Sequence, residues 1–485
     1  MQRLAPVLNV LSKVVMLFAL AMLVPLSLSW LSSDGAHTAY DEAIAITLAA
    51  GGFTWLFTRR ARRELQTRDG FLLVVLAWTS LPAFATLPLL FYLPGLSFTD
   101  AYFETVSGIT TTGSTILSGL DALPMSINLW RGLLVWLGGM GLIVLAVAIL
   151  PFLGVGGMQI YKAETPGPMK DTKLTPRITE TAKGLYLVYF GISLACGLSF
   201  WLAGMTPFDA VMHTFSTMGL GGFSSHDASF GYFNSPLIEA VCVFFMLLAG
   251  INFATHFLVW RQRSVRAYRL DPEVRWFLTL TLGSALMIVA YLTWHQVYPD
   301  IGQTLRYAVF NTVSIATTTG FANTDYNLWP VFAPLWMILL SCIASCSGST
   351  GGGMKMVRAL LLFRQGRREL ARLIHPAASL PVKLGGQVIA NNVIYAVLAF
   401  AFLYVFSIVS LTLLMVASGL APLTAFSAVV ASINNMGPGL NEVGPATTYA
   451  VLSDFQTWIC TFAMLLGRLE LLTLLVVFTR TFWRA

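Results

Sequence analysis

The chain has 485 residues, 56% hydrophobic and 11% charged, with a formal net charge of +7. Soluble domains carry about 25% charged residues, so a soluble globular fold is excluded, and with it the nucleic-acid partner that an excess of base would suggest in a soluble protein. Apolar runs longer than the ~20 residues that cross a bilayer as a helix exclude a β-barrel, which is written in short alternating segments.

In chain order the apolar runs fall at 6–31, 42–58, 71–93, 126–153, 184–204, 236–260, 274–294, 331–363, 388–418 and 447–480, which predicts ten helical spans. The first is too long for a signal h-region and lacks a small-x-small cleavage site, so it reads as a retained helix. Bases cluster in alternate loops: Arg59 to Arg68, Lys162 to Lys183, Arg261 to Arg275 and Arg358 to Lys383. The positive-inside rule makes those loops and both termini cytoplasmic. Of 29 bases only Arg131 and Arg306 fall on the opposite side. Asp34, Asp100, Asp121, Asp227, Asp300 and Asp325 fall there too, a balance that draws cations, although acids also remain outside whenever bases stay inside. The five cysteines are odd in number and sit in apolar surroundings, which argues for buried core residues rather than disulfides.

Four shorter semi-apolar runs, 99–110, 207–218, 302–316 and 422–433, are too short to span. Thr99, Pro207, Thr304 and Thr424 are expected to open them as helices. Each run leads into a polar stretch: Thr110-Thr111-Thr112-Gly113, Gly219-Leu220-Gly221-Gly222, Thr317-Thr318-Thr319-Gly320 and Asn434-Asn435-Met436-Gly437. The last glycines are 109, 98 and 117 residues apart. A repeat at that period dictates the architecture: an all-α polytopic membrane protein with four pseudo-symmetric units of helix, pore helix, filter and helix around one central pore. The expected divisions are an N-terminal helix pair (1–68) and repeats at 69–160, 161–262 (with a cytoplasmic linker, 154–183), 263–375 and 376–485. Four unrelated re-entrant turns are the alternative.

Irregular backbone inside a membrane is tolerated where it lines a water-filled path or is buried in protein. Backbone carbonyls facing such a path replace an ion's hydration shell, and glycine permits that conformation without crowding the axis. Helix C-termini aimed inward add partial negative charge. The threonine hydroxyls and the Asn434 and Asn435 amides supply further oxygens or hydrogen bonds around the ring. No ring of carboxylates is present, so the expected cargo is a monovalent cation.

A second polar stretch, Ser347-Gly348-Ser349-Thr350-Gly351-Gly352-Gly353, interrupts the run 331–363. It lacks the preceding strand and the Lys-Ser/Thr of a phosphate-binding loop. A close-packed kinked helix and a mobile loop in the pore remain, the loop being preferred. Counting 31 residues from each filter glycine reaches Val144, Phe253 (beside Asn252 and His256), Gly351 and Arg468, so these are expected at one level below the filter. An arginine inside an apolar span is expensive and points to function. Arg468 is read as a cation in or beside the pore that opposes flow, with pairing to Glu470 or a structural role as the alternatives. Lys355 either steadies the loop or is simply interfacial, and His213 is expected in polar packing.

The motifs "TTTGST" (110–115), "GLGGFS" (219–224), "TTTGFAN" (317–323), "NNMGPG" (434–439), "SGSTGGGMK" (347–355) and "LLGRLE" (465–470) resemble the Trk/Ktr/HKT potassium-transporter superfamily, most closely its bacterial Trk branch, over essentially the whole chain. That resemblance implies one filter glycine per repeat, here Gly113, Gly222, Gly320 and Gly437, and potassium permeation, because serine at the first position marks sodium-preferring plant members. Repeat four departs most from the pattern, which puts strict fourfold coordination in question there. The resemblance further implies a gate made of the intramembrane loop and Arg468, a homodimer in the bacterial inner membrane, and a cytosolic TrkA-like nucleotide-binding regulator. The chain shows no nucleotide motif of its own: "GVGG" (154–157) lacks a βαβ setting. The loops 154–183, 261–275 and 364–387 are candidate docking surfaces for the regulator or for anionic lipid. An enzyme is not expected, since six scattered histidines form no catalytic cluster. The rival transport reading is a K+/Na+ or K+/H+ symporter.

Overall fold

The computed structural model describes residues 4–60, 63, 65–144 and 178–484. Most of the expected linker 154–183, with "GVGG" and the bases from Lys162 to Arg177, lies outside the described residues. Among the described residues five helices are individually long and apolar enough to cross a bilayer: Ala5–Ser32, Arg68–Tyr92, Lys183–Leu202, Pro272–Trp294 and Asn391–Ala417. His37–Thr58 and Met125–Val144 are 22 and 20 residues long and stand at the second and fourth expected spans.

Two expected spans are not continuous. The run 236–260 is two helices, Pro236–Ala249 and Phe253–Gln262, bent by 93°, and 447–480 contains Asp454–Arg468 and Leu472–Phe478, bent by 108°. At the first break Asn252 starts a new helix, its side chain accepting from Ala254 N at 2.8 Å. At the second, Glu470 and Leu471 both take positive φ, 55° and 50°, which reverses the chain at a conformational cost of about 1–3 kcal/mol per residue. The run 331–363 is interrupted as expected, between Phe332–Ile343 and Met356–Ile374.

The four short helices are Phe98–Ile109, Pro207–Gly219, Ile301–Ala316 and Pro422–Ile433, within one residue of their sequence bounds. Their starts differ in chemistry from expectation. Ser97, Thr206 and Asp300 are the capping residues, each side chain accepting a backbone N–H at 3.1 Å, a contribution of about 1 kcal/mol apiece. Pro207 and Pro422 occupy the first turn, where the missing N–H costs nothing. Thr99, Thr304 and Thr424 lie inside the first turn, so they are not caps.

Each short helix packs on the inner helix of the repeat before it. Phe98–Ile109 meets Asp454–Arg468, Pro207–Gly219 meets Met125–Val144, Ile301–Ala316 meets Pro236–Ala249, and Pro422–Ile433 meets Phe332–Ile343. This relation is cyclic, so repeat four closes on repeat one. The result is an all-α polytopic membrane fold in which four repeats surround one axis.

Candidate ion-conduction site

All four short helices end the same way. The next residue but one, or in the second helix the next residue, donates its N–H to the carbonyl three residues back, and the residue after it donates to the carbonyl five back. These bonds are Thr111 to Gly108 and Thr112 to Ser107, Leu220 to Thr217 and Gly221 to Ser216, Thr318 to Ile315 and Thr319 to Ser314, and Asn435 to Ser432 and Met436 to Ala431, all 2.8–3.2 Å. This is the paired bonding of a Schellman cap. The left-handed residue, usually glycine, is here Thr111, Leu220, Thr318 or Asn435, with φ of 55°, 55°, 61° and 51°. Such a conformation costs an L side chain about 1–3 kcal/mol, and burial plus the two bonds hold it. It turns the backbone sharply at the end of each helix, and the predicted glycine follows two residues later.

Those glycines form a ring of close backbone approaches. A Cβ on Gly113 would strike the Gly222 nitrogen, one on Gly222 the Gly320 carbonyl carbon at 2.6 Å, and one on Gly320 the Met436 carbonyl oxygen. A Cβ on Gly437 would come to 3.2 Å from Thr112 O and 3.3 Å from Gly320 Cα. The order 113–222–320–437 thus returns to repeat one. Repeat four, the most divergent in sequence, keeps the common backbone, since Gly437 takes a φ of 101° alongside 80° at Gly113 and 87° at Gly320. The departure is in repeat two, where Gly222 does not take positive φ and its N–H donates to Thr319 O at 2.5 Å.

The polar side chains of these stretches mostly serve the turns. Thr110 Oγ1 bonds Val106 O and Thr112 Oγ1 at 2.6 and 2.8 Å, and Thr317 repeats this with Val313 O and Thr319 Oγ1 at 2.8 and 2.7 Å. Asn434 faces away from the ring, accepting from Tyr404 at 2.5 Å and donating to Ser341 at 2.8 Å. Asn435 does bridge around the ring, donating to Thr112 Oγ1 at 3.0 Å. His213 is packed between Asp209 O and Ser224 Oγ at 2.8 and 2.9 Å, the structural setting expected of it.

Below the ring the loop 347–353 is seated against the glycine stretches. Gly352 N donates to Thr318 Oγ1 at 2.8 Å, and a Cβ on Gly351 would come within 3.0 Å of Thr317 O. Thr350 Oγ1 donates to Met218 O at 2.9 Å, and Gly348 O accepts from Phe253 N at 3.0 Å. From the other side Ser347 N bonds Glu273 Oε2 at 2.8 Å, Ser349 Oγ bonds Cys346 O at 2.6 Å, and Gly353 takes a φ of 75°. Lys355 is buried and donates to Gly351 O across the loop's turn. Arg468 is 2% exposed and donates to Thr350 O at 2.9 Å and Gly138 O at 3.0 Å. Glu470 pairs instead with Arg358 at 2.7 Å. Repeat one therefore meets this level through Gly138, six residues before Val144, because Met125–Val144 passes the level without a break. His256 braces the bent helix of repeat two through Tyr268 and Leu248 O, at 2.6 and 2.9 Å.

The two sides of the ring differ in open space. On one side, a vestibule of about 240 Å³ reaches Gly113, Gly222 and Gly320 and is flanked by His226 and Asp227. On the other, the cavity between Gly352, Arg468 and Glu470 is about 10 Å³, room for one water at most. The ring thus lies between an open cavity on one side and a filled level bearing a fixed positive charge on the other.

Sequence reasoning missed two ion pairs beside the ring, the buried Glu104–Arg131 at 2.8 Å and the partly exposed Glu239–Arg306 at 2.6 Å. The signal was available in the two bases stranded on the acidic face.

A family model described as "Cation transport protein", TrkH, matches residues 36–484. The chain is 47% identical over 471 residues to the Trk system potassium uptake protein TrkH of Salmonella typhimurium, covering 97% of each. It is 38% identical over 472 residues to the Trk system potassium uptake protein TrkG of Escherichia coli K12, again covering 97% of each. The crystal structure of the potassium transporter TrkH from Vibrio parahaemolyticus matches with a TM-score of 0.91 at 44% identity, covering 100% of both chains.

Proposed function

Because this chain belongs to the TrkH family of cation transport proteins, whose relatives are named as transporters rather than enzymes, we propose that it takes up potassium across the bacterial inner membrane through a channel-like pore. The observation that carries the reading is the ring of four identical helix-terminating turns, each delivering a glycine whose face abuts the next repeat. Carbonyls so placed strip and replace the hydration shell of a monovalent cation, with the C-termini of four short helices behind them. Thr110–Gly113, Gly219–Gly222, Thr317–Gly320 and Asn434–Gly437 form the filter. The loop Ser347–Gly353, Lys355 and Arg468 form the gate, which the filled lower level represents closed. Opening it requires withdrawal of the loop, and a cytosolic TrkA-like nucleotide-binding subunit acting on a homodimer supplies the work. The exposed bases Arg263, Arg266 and Arg269 belong to its docking surface.

Planar-bilayer recording in K+/Na+ gradients tests this. A channel carries far more than the ~10³ ions per second available to a carrier with a millisecond cycle, and its current reverses near the potassium equilibrium potential. Slow, saturable flux that depends on a counter-gradient of Na+ or H+ would instead establish the symporter.

A further inference from the structure

Arg131 is one of the largest fully buried side chains, and it and Glu104 each have side chains only 1% exposed. Burying two ions in this way is unfavourable unless further hydrogen bonds complete both partners. Here they do, and nearly all of those bonds run to the strands that leave the filter. Glu104 accepts from Ile116 N at 2.9 Å and from the Thr115 hydroxyl at 2.9 Å, three and two residues beyond Gly113. Arg131 donates from Nε to Glu104 at 2.8 Å, from Nη2 to Thr115 Oγ1 at 3.2 Å, and from Nη1 to Ser224 O at 3.0 Å, two residues beyond Gly222. Asn128 Oδ1 takes a further Nη1 bond at 3.1 Å, and the guanidinium lies 4.4 Å from the centre of the Phe223 ring. One planar fork therefore holds the outer strands of repeats one and two together.

The next junction uses the same chemistry with the charges exchanged between elements. Glu239, on the inner helix of repeat two, takes both Arg306 Nε and Nη2 at 2.7 and 2.6 Å and accepts from Asn323 at 3.0 Å, three residues beyond Gly320. The remaining junctions are joined by neutral bonds, Asn441 N to Asn327 Oδ1 at 3.0 Å and Ser114 Oγ to Gly437 O at 2.7 Å. Charged bracing is thus confined to one half of the ring, the half that contains the aberrant Gly222.

We propose that Glu104 and Arg131 are positioning residues for ion selection: the pair fixes the separation of filter strands one and two, and so decides which dehydrated monovalent cation fits. This rests on the filter reading above. Arginine is required because lysine offers a point charge without the fork that reaches Glu104, Thr115 and Ser224 together.

The test is the reversal potential of Arg131→Lys and Glu104→Gln channels in planar bilayers with K+ on one side and Na+ on the other. The K+/Na+ permeability ratio is expected to fall on the order of tenfold, the factor that ~1.4 kcal/mol represents. A purely structural role lowers the number of channels in the membrane, which changes current amplitude and leaves the reversal potential alone. Thr115→Val removes the hydroxyl that touches both charges while leaving them paired, and is expected to shift the ratio in the same direction. It decides the matter if the charge variants do not insert. Wild-type reversal potentials in every brace variant that conducts overturn the proposal. Gly113→Ser is the control: a shifted ratio there with none in the brace variants removes only the brace, whereas no shift in any of them removes the filter itself.

Discussion

Replacing Arg468 by alanine removes a fixed positive charge from beneath the ring and two donors, one to the loop at Thr350 O and one to the inner helix of repeat one at Gly138 O. The guanidinium is 2.9 Å from Thr350 O, and a Cβ placed on the adjoining Gly351 would lie 3.0 Å from Thr317 O at the lower edge of the ring. With ~3.8 Å between consecutive Cα atoms, the charge lies roughly 10 Å below an ion at that edge. Two unit charges at roughly 10 Å in an effective dielectric of ~20 repel by about 1.7 kcal/mol. At 1.36 kcal/mol per decade of rate, Arg468→Ala is expected to raise the K+ flux of otherwise closed protein roughly 20-fold. Loss of the anchors at Thr350 O and Gly138 O acts in the same direction. Arg468→Gln keeps a donor without the charge and so separates the two effects. The assay is K+ efflux from proteoliposomes loaded with known amounts of protein. An alanine variant that inserts normally but conducts at the wild-type rate, or more slowly, would refute the assignment of Arg468 to the gate.

Deleting three residues from 347–353 is expected to raise basal flux at least as far as Arg468→Ala, measured in the same vesicles, because it removes the backbone packed under Thr317 and Asn434. Glycine-to-alanine substitutions in the filter should be graded by the contacts their methyl groups meet. Gly437→Ala, whose nearest atoms are at 3.2 and 3.3 Å, is expected to retain the most potassium selectivity. Gly320→Ala, aimed at the Met436 carbonyl, should retain the least; reversal potentials give the order. At the outer mouth His226 bridges Asp121 and Asp209 at 2.5 and 3.2 Å. Burial alone lowers its pKa, but the bonds to the two carboxylates outweigh this and raise it above the usual 6.5. A raised pKa makes the stabilisation complete below pH 6.5 and lost as pH climbs through the folded value. The Tm gap between wild type and His226→Gln in detergent should therefore be widest near pH 6 and shrink towards pH 9.

The spacing of Gly113, Gly222, Gly320 and Gly437 made the fourfold plan legible, because glycine and short apolar runs are strong local signals. The turns themselves were not, since their left-handed residues are Thr, Leu, Thr and Asn, and only tertiary packing forces such side chains into that conformation. The break in repeat two falls at Gly250 to Asn252, inside a run that reads as one continuous span. The equal break at Leu469-Glu470-Leu471 contains neither glycine nor proline and reads as uninterrupted helix. The register count brought Phe253, Gly351 and Arg468 together correctly but overshot in repeat one, where the inner helix runs straight and Gly138 makes the contact. Glu104 was hidden inside an apolar run because a buried carboxylate announces itself only through its partner.

The seam between repeats four and one has a consequence for how the protein is made. Asn435 and Gly437 bond Thr112 and Ser114, partners 323 residues apart, and Tyr449 N bonds Thr115 O. A ribosome adds residues at about 5–20 per second, so repeat one waits some tens of seconds in the membrane before its neighbour exists. Through that interval Thr111 holds its left-handed turn on local bonds alone, with one flank of the filter open to lipid or to other nascent helices. The ring cannot close until repeat four has been made, so truncations that remove Asn435 and Gly437 also remove the bonds that close it.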